Sequence, residues 1–174
     1  MKFKKDILII DFEGLKEPVQ IGAVLLDKET LVEKDSFSTY IFADLKDKIK
    51  VISGISQETL KGAPTQAKVG QIIFEKFGTD ILIGAWVAKS DIKNFKKIIE
   101  AAGLDFNLYD YHILDIWPAA YIYLIKQGYN GGMRSEEIFK EFGAKPRDLH
   151  DALEDCRIVA DVLREIVLYG KIKT

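Results

Sequence analysis

Apolar residues run unbroken from Ile7 to Ile10 and then give way to Asp11-Phe12-Glu13. Residues 7–13 therefore predict a buried central strand whose polar end emerges at an edge of the sheet. Side chains two apart on a strand share a face, so Asp11 and Glu13 project together. Segments 18–27 and 32–42 are β-branched or aromatic in part and flank the turn-like Asp27-Lys28-Glu29, which predicts an antiparallel three-strand meander.

From Pro64 the period changes. Val69, Ile72, Ile73 and Phe77 fall on one side of a helix stopped by Gly78, and 80–85 predicts another buried strand. Ser90 is expected to cap a helix running through Phe95, Ile98, Ile99 and Ala102 to Gly103, with Asp91 in its first turn. A last strand is expected over Tyr109 to Leu114, then a helix around 116–127, a loop at Tyr129-Asn130-Gly131-Gly132, and a short helix capped by Ser135 and ending near Gly143. The closing helix carries one apolar stripe: Leu149, Ala152, Leu153, Cys156, Val159, Ala160, Leu163, Ile166 and Val167. Strands first, then helix and strand alternating, predict an α/β fold with a mixed sheet covered by helices. With no internal repeat, low-complexity tract or linker, residues 1–174 are expected to form a single domain.

Composition narrows the classes. The 48% hydrophobic and 30% charged fractions are those of a soluble globular chain, and no apolar run is long enough to span a bilayer. The basic N-terminus leads into too short an apolar stretch for a signal peptide, so cytoplasmic residence is the expectation. A single cysteine, Cys156, allows no internal disulfide and no cysteine-rich zinc site, and reads as a small buried side chain. The net charge of −2 argues against a broadly basic face, so any contact with nucleic acid must be local. Lys89, Lys93, Lys96 and Lys97 cluster around Asp91, but alone they read as a solvated helix face.

Candidate chemistry lies in the acids that interrupt apolar elements: Asp11 and Glu13 at a strand end, Asp91 opening a helix, and Asp155 beside the stripe of the last helix. Converging carboxylates repel one another and raise their own pKa values unless cations neutralise them. Oxygen ligands without thiols select Mg²⁺ or Mn²⁺, and a pair of such ions about 3.5–4 Å apart serves in-line displacement at phosphorus. The implied chemistry is phosphodiester hydrolysis. His150, with an ordinary pKa near 6.5, can take the proton of the attacking water. His150 and Asp155 are five residues apart, about 140° around an ideal helix, so His150 must act from the helix start. Asp151 shares a face with Asp155 and remains a rival ligand on spacing alone.

With these motifs in view, the chain resembles the DEDD-type exonucleases with histidine (DEDDh), the family of the proofreading subunit of bacterial DNA polymerase III. The resemblance rests on Asp11-Phe12-Glu13, on the strand Pro18 to Asp27, on the loop Ile52-Ser53-Gly54-Ile55-Ser56, and on His150-Asp151-Ala152-Leu153-Glu154-Asp155, which has the family's His-x-Ala-x-x-Asp form and favours Asp155 over Asp151. It implies a ribonuclease H-like five-stranded mixed sheet flanked by helices. It also implies a 3′→5′ exonuclease with two divalent ions: Asp11, Glu13 and Asp155 bind one, Asp11 bridges to the second, and Asp91 completes the site. In the same reading His150 is the base, backbone near Gly14 and Leu15 holds the 3′-hydroxyl, Ile55 abuts the terminal nucleotide, and nucleoside 5′-monophosphates are released.

Two features depart from the family pattern. Gly14 stands where the family has threonine after its first motif. The second motif has lost its His-Asn pair, with Trp86 after Gly84-Ala85 and Lys89-Ser90-Asp91 one residue late. Trp86 is left either to stack on a base or to pack in the core. His112, Trp117 and the tyrosines at 109, 111, 121, 123 and 129 read as core and rim. The expected partner is a nucleic-acid 3′ end, single-stranded, of DNA or RNA. A polymerase, a second copy of the chain, a short-oligonucleotide substrate and a non-catalytic binding subunit stay open.

Overall fold

Alternation along the first strand divides the molecule into two layers. A computed structural model describes residues 3–14, 17–44, 55–145 and 150–169. The strands are β1 (Asp6–Glu13), β2 (Gln20–Leu26), β3 (Glu33–Tyr40), β4 (Ile81–Ala85) and β5 (Ile113–Asp115). They form one sheet in the order β3-β2-β1-β4-β5, antiparallel among β1, β2 and β3 and parallel from β1 through β4 to β5. The helices are α1 (Gln57–Leu60), α2 (Gln66–Phe77), α3 (Ala88–Ala101), α4 (Ile116–Lys126), α5 (Ser135–Glu141) and α6 (Ala152–Arg164). A 3₁₀ turn, Phe106–Leu108, precedes β5, and a π-helical turn, Glu165–Tyr169, follows α6.

Leu8, Ile10 and Phe12 of β1 face α2 and α3 and pack with Ile21, Val69, Ile73, Phe95, Ile98 and Ile99. Ile7 and Ile9 face the other way, into a second core with Val24, Leu26, Ile116, Leu124, Ile138, Cys156 and Val159. The row of Ile7 and Ile9 continues into Asp11 and Glu13, as strand alternation requires. The acids thus emerge on the α6 side of the sheet. At that end β1 outruns β4, whose pairing stops at Ile9 with Gly84.

The expected fold is present, with corrections at element ends. Ser90 does not cap α3. The helix starts at Ala88, and Asp115 Oδ1 accepts from the Ala88 N–H at 3.3 Å. The predicted strand over Tyr109 to Leu114 shrinks to Ile113–Asp115, because Tyr109 closes the 3₁₀ turn and Asp110 accepts from the His112 N–H while pairing with Lys5. Ser135 is the first residue of α5 and not its cap; the Glu137 carboxylate accepts from the Arg134 N–H there. α6 begins at Ala152, capped by Asp151, while Leu149 lies outside the described residues. Among the described residues no helix is long and apolar enough to cross a membrane.

Candidate active site

The first motif is held by β-sheet pairing. Asp11 lies opposite Gly22 and Glu13 opposite Gln20, so both acids are fixed by the β1–β2 ladder. Beyond Glu13 the chain turns back at Gly14, and the Val19 N–H donates to the Glu13 carbonyl at 2.8 Å. Gly14 has φ of 117°, and a Cβ there would lie 2.2 Å from the Glu17 carbonyl oxygen. Threonine cannot occupy this backbone, which gives the departure from the family pattern a physical reason. Leu15 lies outside the described residues, as do Ile52, Ser53 and Gly54.

The third motif approaches from α6. His150 precedes the helix, and Asp151 caps it by accepting from the Leu153 and Glu154 N–H groups, each at 3.1 Å. The second Asp151 oxygen accepts from Gln20 Nε2 at 2.8 Å. Oδ1 is thereby filled and Oδ2 is turned to Gln20, which disfavours the rival ligand that spacing leaves open. Asp155, 9% exposed, turns to the sheet, and its Oδ2 lies 3.1 Å from His150 Nδ1. Ligand atoms of Glu13, His150 and Asp155 all come within 4.8 Å of one another. Three residues from two distant segments therefore meet.

Asp91 reaches the same end of β1 from the opposite layer. It is 6% exposed and accepts a backbone hydrogen bond from Phe12, in the stretch of β1 that β4 leaves unpaired. Burial, with the Glu13 and Asp115 charges behind it, pushes the Asp91 carboxyl up to about 7. The charges of Asp11 and Asp91 also act on the buried thiol of Cys156, next to Asp155, which burial holds well above its ordinary value. All four acids thus lie at one end of the sheet, and a divalent cation would relieve what burial and mutual repulsion impose on them. The carboxylate oxygens are donors suited to a hard cation, and the His150 imidazole stands beside them.

Not every expected residue lines this site. Trp86 is buried in the second core, its ring 4.3 Å from that of Phe139 and its Nε1–H donated to Ser135 Oγ at 3.0 Å, so the base-stacking role is withdrawn. Ile55 is likewise buried, packed with Val19, Ala43 and Leu60 in a satellite cluster, which leaves little of it for a nucleotide. His112 is exposed and paired with Asp110, away from the acids. Gln20, within the strand Pro18 to Asp27, and Asp115 also adjoin this site, with no motif to mark them out singly. Each is a polar residue inside an apolar run, the same signal that drew attention to Asp11. Beside His150 opens a cavity of about 320 Å³ walled by Phe139, Lys140, Ala144 and Lys145.

Residues 8–163 match the RNase_T family of exonucleases. The chain belongs to this exonuclease family. It is 26% identical over 171 residues to DNA polymerase III subunit epsilon of Aquifex aeolicus (strain VF5), a match spanning 92% of this chain and 79% of that protein. The zinc-bound E. coli ExoI–ssDNA complex has a TM-score of 0.75 at 18% identity, covering 98% of this chain and 42% of ExoI. The nuclease domain of 3′hExo, a DEDDh family member bound to rAMP, has a TM-score of 0.72 at 18% identity, covering 98% of this chain and 96% of that domain. The chain thus spans less than half of ExoI and nearly all of the 3′hExo nuclease domain. The fold is ribonuclease H-like, and by family the chain is an exonuclease.

Proposed function

We propose that residues 1–174 act as one exonuclease domain that removes nucleotides singly from a nucleic-acid 3′ end and releases nucleoside 5′-monophosphates. The observation that carries this reading is the meeting of Glu13, His150 and Asp155 within 4.8 Å, at the strand end that also bears Asp11 and adjoins Asp91. Asp11, Glu13, Asp91 and Asp155 would hold the divalent ions, two of Mg²⁺ or Mn²⁺. Such ions, when bound, neutralise charge building at phosphorus and acidify the attacking water.

The protein residues do the rest. Asp155 accepts only, so its contact with His150 puts a proton on Nδ1 and leaves Nε2 as the basic nitrogen. His150 is more exposed than Asp155, on the wall of the cavity, where Nε2 can take a proton from water and pass it to solvent. Backbone near Gly14 and Leu15 would hold the terminal 3′-hydroxyl. Gly14 brings no side chain to that contact.

A single-stranded 3′ end is the proposed substrate, supported by the fold shared with E. coli ExoI, described in complex with single-stranded DNA. RNA or short oligonucleotides form a second reading, favoured by the nearly complete coverage of the 3′hExo domain bound to rAMP. A polymerase partner is suggested by the epsilon relative. Digestion of 5′-labelled DNA and RNA oligonucleotides side by side, with Mn²⁺, Mg²⁺ or chelator, tests the proposal. Ladders shortened from the 3′ end only when metal is present are expected. Intact strands in every lane, with pure folded protein, would instead point to a non-catalytic binding subunit.

A further inference from the structure

Among the described residues the buried polar or charged side chains are Gln20, Asp91 and Asp155. The two acids belong to the proposed metal site, and Gln20 has no part in the chemistry. A neutral amide at 5% exposure is retained in a core only where its hydrogen bonds are made. Gln20 Nε2 donates to Asp151 Oδ2 at 2.8 Å, a bond between residues 131 positions apart. Asp151 Oδ1 meanwhile caps α6 through Leu153 and Glu154. One carboxylate therefore joins β2 to the first turn of the helix that carries Asp155 and follows His150.

The neighbouring position on the same face of β2 completes the seat. A Cβ at Gly22 would lie 2.2 Å from both the carbonyl carbon and oxygen of Ala152 and 2.4 Å from the Leu153 nitrogen, so the helix start rests directly on the strand. The strand register links this seat to the acids, because Gln20 lies opposite Glu13 and Gly22 opposite Asp11. The two β2 residues that seat α6 are thus the cross-strand partners of the two acids of the first motif. Steric contact at Gly22 sets how closely the helix approaches. The Gln20–Asp151 bond sets where along the strand it stops.

We infer that Gln20 is a positioning residue that acts through Asp151 to hold His150 and Asp155 against Glu13. The inference rests on the exonuclease reading, and it has a readout independent of turnover: the affinity of the folded protein for Mn²⁺. Gln20→Leu keeps the volume and removes the donor. Gln20→Met makes the same test should the leucine variant not fold, which far-ultraviolet circular dichroism decides. Because misplacement by an ångström costs on the order of 100-fold in rate, a fall in kcat of about tenfold or more is expected, with KM for a DNA oligonucleotide within about twofold. Mn²⁺ affinity measured by calorimetry should fall about tenfold, as when a metal ligand loses its supporting partner. Asp151→Ala removes the acceptor and the cap together, and adding Gln20→Leu to it should cause no further loss.

A kcat and a Mn²⁺ affinity equal to wild type, with only the melting temperature lowered, would overturn the inference. So would losses that multiply in the double variant. If wild-type protein cleaves neither DNA nor RNA, the exonuclease reading fails, and the Mn²⁺ affinities of wild type and Gln20→Leu decide the positioning role by themselves.

Discussion

The starts of α3 and α6 bring acids to the same strand end by opposite means. The α6 start is heavily built: Asp151 caps the helix, Gln20 holds Asp151, Gly22 admits the helix backbone, and farther along Arg157 reaches Glu33 and Arg164 the Leu31 carbonyl. The α3 start is more lightly built: Val87 gives no side-chain cap, the Ala88 N–H makes a long bond to Asp115, and Asp91 accepts from the Phe12 backbone. The difference extends to charge. Asp155 has a histidine at 3.1 Å, whereas Asp91 is buried among other acids and is driven toward its neutral form. The α6 half is thus held by protein contacts, while the α3 half stands to gain most from a bound ion.

The comparison can be broken at several points, the largest effect first. His150→Ala should lower kcat about 10²- to 10⁴-fold with the melting temperature little changed, as measured by steady-state release of mononucleotide. A loss of only a few-fold would remove His150 as base.

Asp91→Asn sharpens the charge contrast. The Asp91 pKa is raised by folding from 3.8 to about 7, so the folded chain keeps a proton that the unfolded chain releases within that range. Metal-free stability is therefore favoured by this group below about pH 4 and loses that contribution as pH rises through 7. Asp91→Asn escapes the penalty. The metal-free variant should be more stable than wild type at pH 8, by up to about 4 kcal/mol, and the difference should vanish near pH 4. Denaturant unfolding at the two pH values with chelator present checks this, and the same variant should lose most of its metal-activated turnover.

Asp115→Ala tests how lightly α3 is held. It removes the acceptor for the Ala88 N–H and one of the charges raising Asp91, so the Asp91 pKa should move down. The stability cost should be about 0.5–1.5 kcal/mol at neutral pH, read by chemical denaturation. Trp86→Phe should show the smallest effect on activity. Losing the bond to Ser135 costs about 1 kcal/mol, and KM for oligonucleotides should not change, since the ring lies in the core.

Much of this architecture was legible in the chain, for reasons that differ by element. β1 and α6 could be read because their apolar periodicities are strong and are broken only by acids, which burial makes conspicuous. The antiparallel meander was legible from two further strand-like runs separated by a short turn. The α3 start was misread because Ser90 has the chemistry of a cap, whereas the bond that engages the helix start comes from Asp115, 27 residues away. Local propensity cannot see such a partner. Trp86 is ambiguous in the sequence for a related reason: an aromatic beside a strand end serves a core or a ligand equally well until its neighbours, here Phe139 and Ser135, are known. Gln20 stood in plain view within an apolar strand, but its meaning lies in the cross-chain bond to Asp151.

The most direct measurement is anomalous diffraction from a crystal soaked in Mn²⁺ with a nucleoside 5′-monophosphate. Two manganese peaks about 3.5–4 Å apart are expected, bounded by Asp11, Glu13, Asp91 and Asp155, with His150 close to the phosphate. Ordered nucleotide without manganese between those carboxylates, or manganese bound only elsewhere, would contradict the account.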